Sequence, residues 1–363
     1  MSLEVSIKKK LGKFQLDVTF ESNGVLGLLG ASGCGKSMTL KCIAGVEKPD
    51  EGRIVLDGRV LFDSQKHIDL TPQERRVGYL FQDYALFPNM TVYQNIQCGT
   101  KDKKEVQAYL ERFDLEQVQK LYPAQLSGGQ KQRTALARML AAKPQALLLD
   151  EPFSALDNFL KARMEREVMN VLDGFAGPVV FVSHDRNEAY RLTDTIAVME
   201  NGRIVDLSEK HALFKAPKTL AATLLTGCKN VTHVIKMADG NYLATDWGIC
   251  LQAPKDSGKE YAYAGFRAHY AVPVQKEDSE DTIPVNRIEC DIYREIEDTF
   301  SIVIQFYPKG LLTRTEYSLL TYEAGKEEWK AIKEKYKDHF CVAIPEDVVI
   351  WMENNVRIHN RIT

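Results

Sequence analysis

Gly30-Ala31-Ser32-Gly33-Cys34-Gly35-Lys36-Ser37 matches the phosphate-binding pattern G-x-x-x-x-G-K-[ST] at every fixed position, and the apolar run Val25-Leu26-Gly27-Leu28-Leu29 precedes it. Glycines let successive backbone N–H groups turn inward as an anion nest, and a helix opening near Lys36 aims its positive end at the same point. The expectation is a nucleoside triphosphate held by Gly30, Ala31, Ser32, Gly33, Cys34, Gly35, Lys36, Ser37 and the following Met38. In that reading Lys36 neutralises the β- and γ-phosphates, and Ser37 holds Mg2+. Cationic neighbours would make Cys34 reactive, whereas a small residue that fits a tight loop is the plainer and preferred reading.

Outward from the loop, residues 3 to 30 read as short strands: Glu4-Val5-Ser6-Ile7, the alternating Phe14 to Phe20, and the buried run Val25 to Leu29. A helix through Ala44 closes at Gly45 and Pro49, and Gly52 to Val60 reads as a hairpin turned at Asp57-Gly58. After a strand at Val77 to Phe81, Thr91 to Ala142 has helical period and forms an insertion between strands. Ala146 to Leu149 and Pro178 to Val182 are all-apolar runs, the mark of central parallel strands covered on both faces. A helix from Asn158 to Phe175 bridges them. Two strands then meet at Asn201-Gly202, and a helical stretch around Ala212 to Leu225 ends the unit.

After Gly227 the pattern changes to short alternating strands near Val231 to Lys236, Tyr242 to Thr245, Tyr261 to Arg267, Ile288 to Tyr293, Ser301 to Tyr307 and Leu311 to Tyr317. One helix, Gly325 to Lys337, interrupts them before Phe340 to Ile344, which suggests a small barrel-like β domain. Domain boundaries are therefore expected at 1–227, with a helical subdomain at about 84–142, and at 228–363. Glu277 to Asp281 reads as a solvated loop, and the tail Asn354 to Thr363 as frayed.

The 363 residues are 44% hydrophobic and carry a net charge of −3, enough for two cores and without the basic footprint of a nucleic-acid binder. No apolar stretch approaches the roughly 20 residues that span a bilayer, and the start lacks the apolar segment of a secretion signal. The expectation is a chain neither exported nor embedded. Seven cysteines form no C-x-x-C pair and fit reduced thiols in a cytoplasm.

A phosphate loop alone leaves kinase, GTPase, helicase and transporter ATPase open. Further along stand Leu126-Ser127-Gly128-Gly129-Gln130-Lys131-Gln132-Arg133, Leu147-Leu148-Leu149-Asp150-Glu151-Pro152, Ser154-Ala155-Leu156-Asp157 and Val182-Ser183-His184-Asp185, with Gln82 after Tyr79-Leu80-Phe81. In this order they resemble the signature, Walker B, D-loop, switch-histidine and Q-loop motifs of ABC-transporter ATPases, in register over residues 1 to about 225. The resemblance implies an α/β P-loop NTPase of ABC-ATPase type with a helical subdomain, then a C-terminal β-barrel-like (TOBE/Mop-like) domain. Asp150 ends a buried strand, where its carboxylate reaches Mg2+ through water, and Glu151 beside it is the expected general base, placed to orient and deprotonate the attacking water. Either acid alone would more simply cap the next helix, and the motif context reverses that.

The resemblance makes His184 the γ-phosphate contact, puts Gln82 with Ser37 and Asp150 at the metal, and adds Asp157 to the nucleotide site. Ser127-Gly128-Gly129 opens a helix before Gln130 and forms a second anion site. In the family that site serves the partner's ATP, so a head-to-tail homodimer follows, closed by ATP and loosened by hydrolysis. Phe14 either stacks on adenine, as an aromatic there often does in the family, or belongs to the core. The apolar stretch Gln82 to Val92 either packs internally or forms the groove for a cytoplasmic helix of a membrane permease, and exposed Phe87 or Met90 favours the groove.

Longer matches at Gly52 to Leu61, Leu70 to Tyr79, Phe81 to Asp83 and Leu86 to Pro88 look like the ATPase subunit of molybdate importers, with sulfate, iron(III) and polyamine importers sharing much of them. The implied place is the cytoplasmic face of a membrane, beside permease subunits and an extracytoplasmic solute-binding protein, with no nucleic acid. Soluble ABC ATPases of DNA repair and translation carry long coiled-coil insertions or tandem cassettes, and this chain has neither. At the oxyanion-binding segment of the C-terminal domain, Thr282-Ile283-Pro284-Val285-Asn286-Arg287 departs from the family pattern and only Asn286 fits. Arg267 and His269 match a related segment there, with packing as the competing role.

Overall fold

Residues 3–30 fold as three strands in the computed structural model, which describes residues 1–154, 158–254, 258–274, 286–311, 313–315, 317–336 and 340–353. The chain divides into two compact units, Met1–His211 and Ala212–Thr363. The helical stretch after Ala212 therefore groups with the second unit, ahead of the change in sequence pattern at Gly227.

In the first unit, β1 (Leu3–Leu11) and β2 (Phe14–Ser22) pair as a hairpin, and β3 (Val25–Gly30) leads through the phosphate loop into α1 (Lys36–Ala44). β4 (Glu51–Leu56) and β5 (Arg59–Asp63) turn at Asp57 and Gly58, whose φ values of 50° and 76° are the left-handed pair that a two-residue hairpin requires. β6 (Ile68–Asp69), α2 (Pro72–Arg75) and β7 (Val77–Leu80) precede the helical region α3 (Val92–Gln97), α4 (Lys103–Arg112) and α5 (Gly128–Ala141). β8 (Ala146–Asp150), α6 (Asn158–Asp173), β9 (Val179–Ser183), α7 (Arg186–Leu192), β10 (Thr195–Glu200) and β11 (Arg203–Glu209) complete it.

The eleven strands form one sheet in the order β6-β5-β4-β1-β2-β11-β10-β3-β9-β8-β7. From β10 to β7 neighbours are parallel, while β11 lies antiparallel to β10 and parallel to β2, which joins the parallel half to the antiparallel half. β8 and β9 are buried along their whole length. Their side chains alternate between two cores: Leu147, Leu149 and Phe181 face α3 to α6, and Leu148, Val180 and Val182 face the side of α1. At the far end of α1, Gly45 takes the left-handed conformation (φ 78°). Fully buried Arg75 donates Nη1 to the carbonyls of Cys42 and Ile43 at 2.7 and 2.8 Å, satisfying acceptors the helix leaves open.

The second unit starts with α8 (Lys210–Lys215), which spans the division, and α9 (Leu220–Leu225). β12 (Asn230–Lys236), β13 (Tyr242–Ala244), β14 (Ile249–Leu251), β15 (Tyr261–Phe266), β16 (Val272–Val274), β17 (Arg287–Glu297), β18 (Ser301–Pro308) and β19 (Leu320–Gly325) follow. α10 (Lys326–Tyr336), β20 (Cys341–Ala343) and β21 (Ile350–Glu353) close it. The strands form two antiparallel five-stranded sheets, β14-β13-β12-β15-β21 and β16-β20-β17-β18-β19, around one core that holds Trp247, Phe266, Phe306, Tyr322, Trp329 and Phe340. That is the small barrel-like β domain with one long helix that the alternating pattern predicts.

One expected strand is corrected. The described residues of Leu311 to Tyr317 form no strand, and β18, paired with β17 on one side, takes β19, further on, as its other neighbour. Side chains outcompete the ladder there: Thr315 N–H donates to Ser318 Oγ (2.8 Å), Thr315 Oγ1 to Asp246 Oδ1 (2.7 Å), and Trp247 Nε1 to the Tyr317 carbonyl (3.0 Å). Residues 277–281 and the tail from 354 lie outside the described residues. Among the described residues no helix is long and apolar enough to cross a membrane.

Asp246 is the polar knot of this unit. Its carboxylate accepts from His233 N (2.8 Å), His233 Nδ1 (3.0 Å), Thr232 Oγ1 (3.1 Å) and Thr315 Oγ1 (2.7 Å). Burial alone would push this carboxyl up, but the donors together hold it below the ordinary range. A carboxyl depressed on folding contributes stability that is present above about pH 4, its unfolded value, and is lost as pH falls through the lower folded value. All three tryptophans, Trp247, Trp329 and Trp351, lie in this unit, so their fluorescence reports its unfolding. Asp246→Asn is expected to cost the full chain about 2 kcal/mol at pH 7 in denaturant titrations and progressively less below pH 4. A cost independent of pH would contradict the linkage.

Candidate functional site

Parallel pairing sets the site. Leu29 pairs with Ser183 and Val182 with Asp150, so β3, β9 and β8 end at one edge, where open α/β sheets bind ligands. The phosphate loop, Glu151 and His184 are the next residues of these strands, and all gather there. Gly33 and Gly35 adopt φ of 80° and 109°, which only glycine takes without strain. A Cβ on Gly35 would also sit 2.8 Å from Leu16 Cδ1 and 3.1 Å from Phe14 Cζ. Phe14 is thus half-buried against the loop, packed with the core on the α1 side.

Lys36 is only 5% exposed, and its ammonium donates to the carbonyls of Gly30 (2.8 Å) and Ala31 (3.0 Å), with no carboxylate paired to it among the described residues. Cys34 lies beside it, and burial pushes its thiol up despite the cation, which suits the packing role and not a nucleophile. Ser37 Oγ donates to Asp150 Oδ1 at 2.8 Å. Asp150 is 4% exposed, and burial raises its carboxyl against the two hydroxyls that hydrogen-bond it.

The second hydroxyl belongs to a residue that sequence reasoning missed. Tyr79 OH donates to Asp150 Oδ2 at 2.9 Å, and burial followed by the Asp150 charge raises its own pKa. A hydroxyl in an otherwise apolar strand was the available signal. Its partner was hidden because only the β7–β8 register, Tyr79 opposite Leu148, brings it near Asp150.

Glu151 takes a left-handed φ of 45°, unusual for a residue with a side chain, and its neighbours hold it there. Its N–H donates to the Val182 carbonyl (3.1 Å), and its own carbonyl accepts from Ser154 N–H (3.2 Å) and Oγ (3.0 Å). Glu151 Oε2 lies 3.2 Å from His184 Nδ1, and the histidine side chain is 62% exposed. Gln82 is exposed on the turn after β7.

Ser127 caps α5, accepting from Gln130 N–H while Gln130 Oε1 accepts from Ser127 N–H, so Gly128 and Gly129 open a helix as expected. Among the described residues no hydrogen bond or ion pair joins Ser127 to Gln130 with the phosphate loop. Asp157 lies outside the described residues. In the stretch after Gln82, Phe87 and Met90 are 46% and 37% exposed. Buried Asn95 holds this stretch through Phe87 N–H and the carbonyls of Phe87, Met90 and Thr91, and Arg138 through the carbonyls of Tyr84 and Ala85.

These residues fit their groups. A glycine cradle with an ammonium that carboxylates leave alone suits phosphate, and a hydroxyl beside a buried carboxylate is a hard oxygen pair suited to Mg2+. The fold and the site define a P-loop nucleotide-binding domain.

A family model described as ABC transporter matches residues 14–154. The molybdenum import ATP-binding protein ModC of Paramagnetospirillum magneticum is 39% identical over 222 residues, 59% of this chain and 61% of that protein, so the chain spans about three fifths of this relative. The sulfate/thiosulfate import ATP-binding protein CysA of Mannheimia succiniciproducens is 39% identical over 250 residues, covering 64% and 68%. The spermidine/putrescine import ATP-binding protein PotA of Oleidesulfovibrio alaskensis is 36% identical over 261 residues, covering 68% and 67%. A solved dimeric ATP-binding cassette in a post-hydrolysis state with ADP and Pi shares 27% identity at a TM-score of 0.50, over 58% of this chain and 99% of that one. The chain belongs to the ABC transporter ATPase family.

Replacing Tyr79 by Phe removes one of the two hydroxyls on a buried carboxylate. Y79F is expected to lower stability by about 1–2 kcal/mol at pH 7.5, measured by circular dichroism in denaturant, because hydrogen bonds to charged groups are the stronger ones. An unchanged midpoint would show that the contact contributes nothing.

Proposed function

We propose that the chain hydrolyses Mg-ATP as the ATP-binding subunit of a membrane importer, working as a head-to-tail homodimer at the cytoplasmic face. The observation that carries this reading is one sheet edge bearing Lys36, the Ser37–Asp150 pair and the Glu151–His184 pair. The loop N–H groups and Lys36 bind and orient the triphosphate. Glu151 takes a proton from the attacking water, whose oxygen bonds to the γ-phosphorus as the bond to the β–γ bridging oxygen breaks and ADP departs. His184 contacts the γ-phosphate and sits close enough to Glu151 to orient it. Ser37, Asp150 and Gln82 would hold Mg2+, which when bound would supply positive charge to offset the phosphate oxygens.

The dimer follows from the second anion site at Ser127 to Gln130, which in this reading closes over the partner's ATP with Asp157. Phe14 flanks the adenine side. Exposed Phe87 and Met90 support a groove for a permease helix, and an extracytoplasmic solute-binding protein completes the system.

An oxyanion, molybdate first, is the proposed solute. Sulfate and polyamine importer subunits match at comparable identity and supply the second reading, in which the ATPase is unchanged and the permease differs. The C-terminal unit is read as a dimer support without a solute site of its own. Asn286 Oδ1 accepts from Gln252 N–H (3.0 Å), and the Arg267 guanidinium binds the carbonyls of Phe214 and Thr226, so both have structural employment. Residues 282–285 lie outside the described residues.

E151Q is expected to bind ATP normally, lose at least about a hundredfold in turnover and accumulate as a dimer in size-exclusion runs with ATP. Near-normal turnover would remove Glu151 as the base. S127R is expected to abolish hydrolysis while ATP binding by the single subunit persists, and loss of that binding would contradict the shared site. ATPase rates with the permease partner in membranes, titrated with molybdate, tungstate and sulfate, test the rest. No response to any of the three under the dimer-support reading is the expected result, and inhibition by molybdate would give the C-terminal unit a sensing role.

A further inference from the structure

The backbone on both sides of His184 is held by a closed polar network anchored outside its own segment. Ser183 is 2% exposed, and its Oγ donates to Glu188 Oε2 (2.5 Å) while accepting from Asp185 N–H (2.9 Å). Asp185 also caps α7, its Oδ1 accepting from Asn187 N–H at 2.8 Å. Two carboxylates therefore orient this turn, and Glu188 is only 5% exposed. One cation balances both: Lys161 Nζ on α6 lies 2.7 Å from Asp185 Oδ2 and 2.6 Å from Glu188 Oε1.

Physical chemistry makes the cation the keystone. Two carboxylates that share one ammonium repel when it is removed, and Glu188, the buried one of the two, is then left with its charge uncompensated. Without Lys161, Asp185 and Glu188 would swing apart, so that Ser183 Oγ loses its acceptor and Asp185 N–H its fixed partner. His184 lies between those two residues, with its ring mostly exposed and 3.2 Å from Glu151, so few other contacts fix it.

We propose that Lys161 is a positioning residue for His184: through Asp185, Glu188 and Ser183 it holds the histidine at the distance from Glu151 that hydrolysis uses. This deepens the ATPase reading and rests on it for its catalytic consequence, while the geometry of the clamp stands apart from it.

The test compares Lys161→Met with Lys161→Arg in the full chain. K161M is expected to lower kcat at least about tenfold with KM for ATP changed less than about twofold, and K161R to restore most of the rate. In 15N-histidine NMR of the seven histidines, the His184 signals, assigned by their loss in H184A, should shift or broaden in K161M and return in K161R. A folded K161M with wild-type kcat and unchanged His184 signals overturns the proposal, as does an equal rise in KM that marks general loss of binding. Should K161M fail to fold, Glu188→Gln, which keeps the side-chain size, carries the same expectations. If the wild-type chain hydrolyses no ATP, the ATPase reading fails while the NMR comparison still decides the clamp.

Discussion

Asp150 is a carboxylate buried at the end of the central strand β8, and the arrangement around it follows from what that burial costs. An ionised group out of water must be hydrogen-bonded or paired. Ser37 reaches it from the first turn of α1 and Tyr79 from β7, at 2.8 and 2.9 Å. For both to arrive, α1 must pack on one face of the sheet and β7 must lie beside β8 in parallel register. The hydroxyl of the phosphate loop and the carboxylate of a strand 113 residues further on thus form one unit. That coupling makes a phosphate cradle into a place where a hard cation can be shared with a phosphate.

The same economy of charge recurs. Arg75 has no exposure and distributes its guanidinium among the Leu70, Cys42 and Ile43 carbonyls and Asp69, which joins the end of α1 to the segment before β7. Lys161 stands between Asp185 and Glu188, and Asp246 gathers four donors in the C-terminal unit. In each case a buried charge is tolerated because several elements contribute partners, so each charge also fixes how those elements meet. Such groups are expensive to break, and they sit where backbone is held: at the end of α1, in the turn around His184 and between β13 and β14.

Much of this was legible in the chain. The left-handed turns at Asp57-Gly58 and Asn201-Gly202, the buried runs of β8 and β9, and the Ser127 cap all depend on local stereochemistry or on hydrophobic period, which neighbouring residues dictate. Leu311 to Tyr317 failed for the opposite reason. Its alternation suits a strand, yet Thr315 and Ser318 find better partners in Asp246, which lies some seventy residues earlier. The short strands β14, β16 and β21 carry too few residues to show a period, and they exist because neighbouring strands accept their hydrogen bonds.

The order of motifs along the chain was enough to determine the nucleotide-binding class, the residues at each strand end and the helix that presents Ser127. These follow from short-range chemistry: glycine's freedom at positive φ, a lysine and a hydroxyl after a glycine loop, an acid at the end of an apolar run. Tertiary structure alone decided that Tyr79 supports Asp150, that Glu151 bends left-handed beside His184, and that Lys161 holds the turn around that histidine. Register between parallel strands and the packing of α6 on β9 and α7 set those contacts, and neither is encoded in any local stretch, because each is chosen by the burial of the whole sheet.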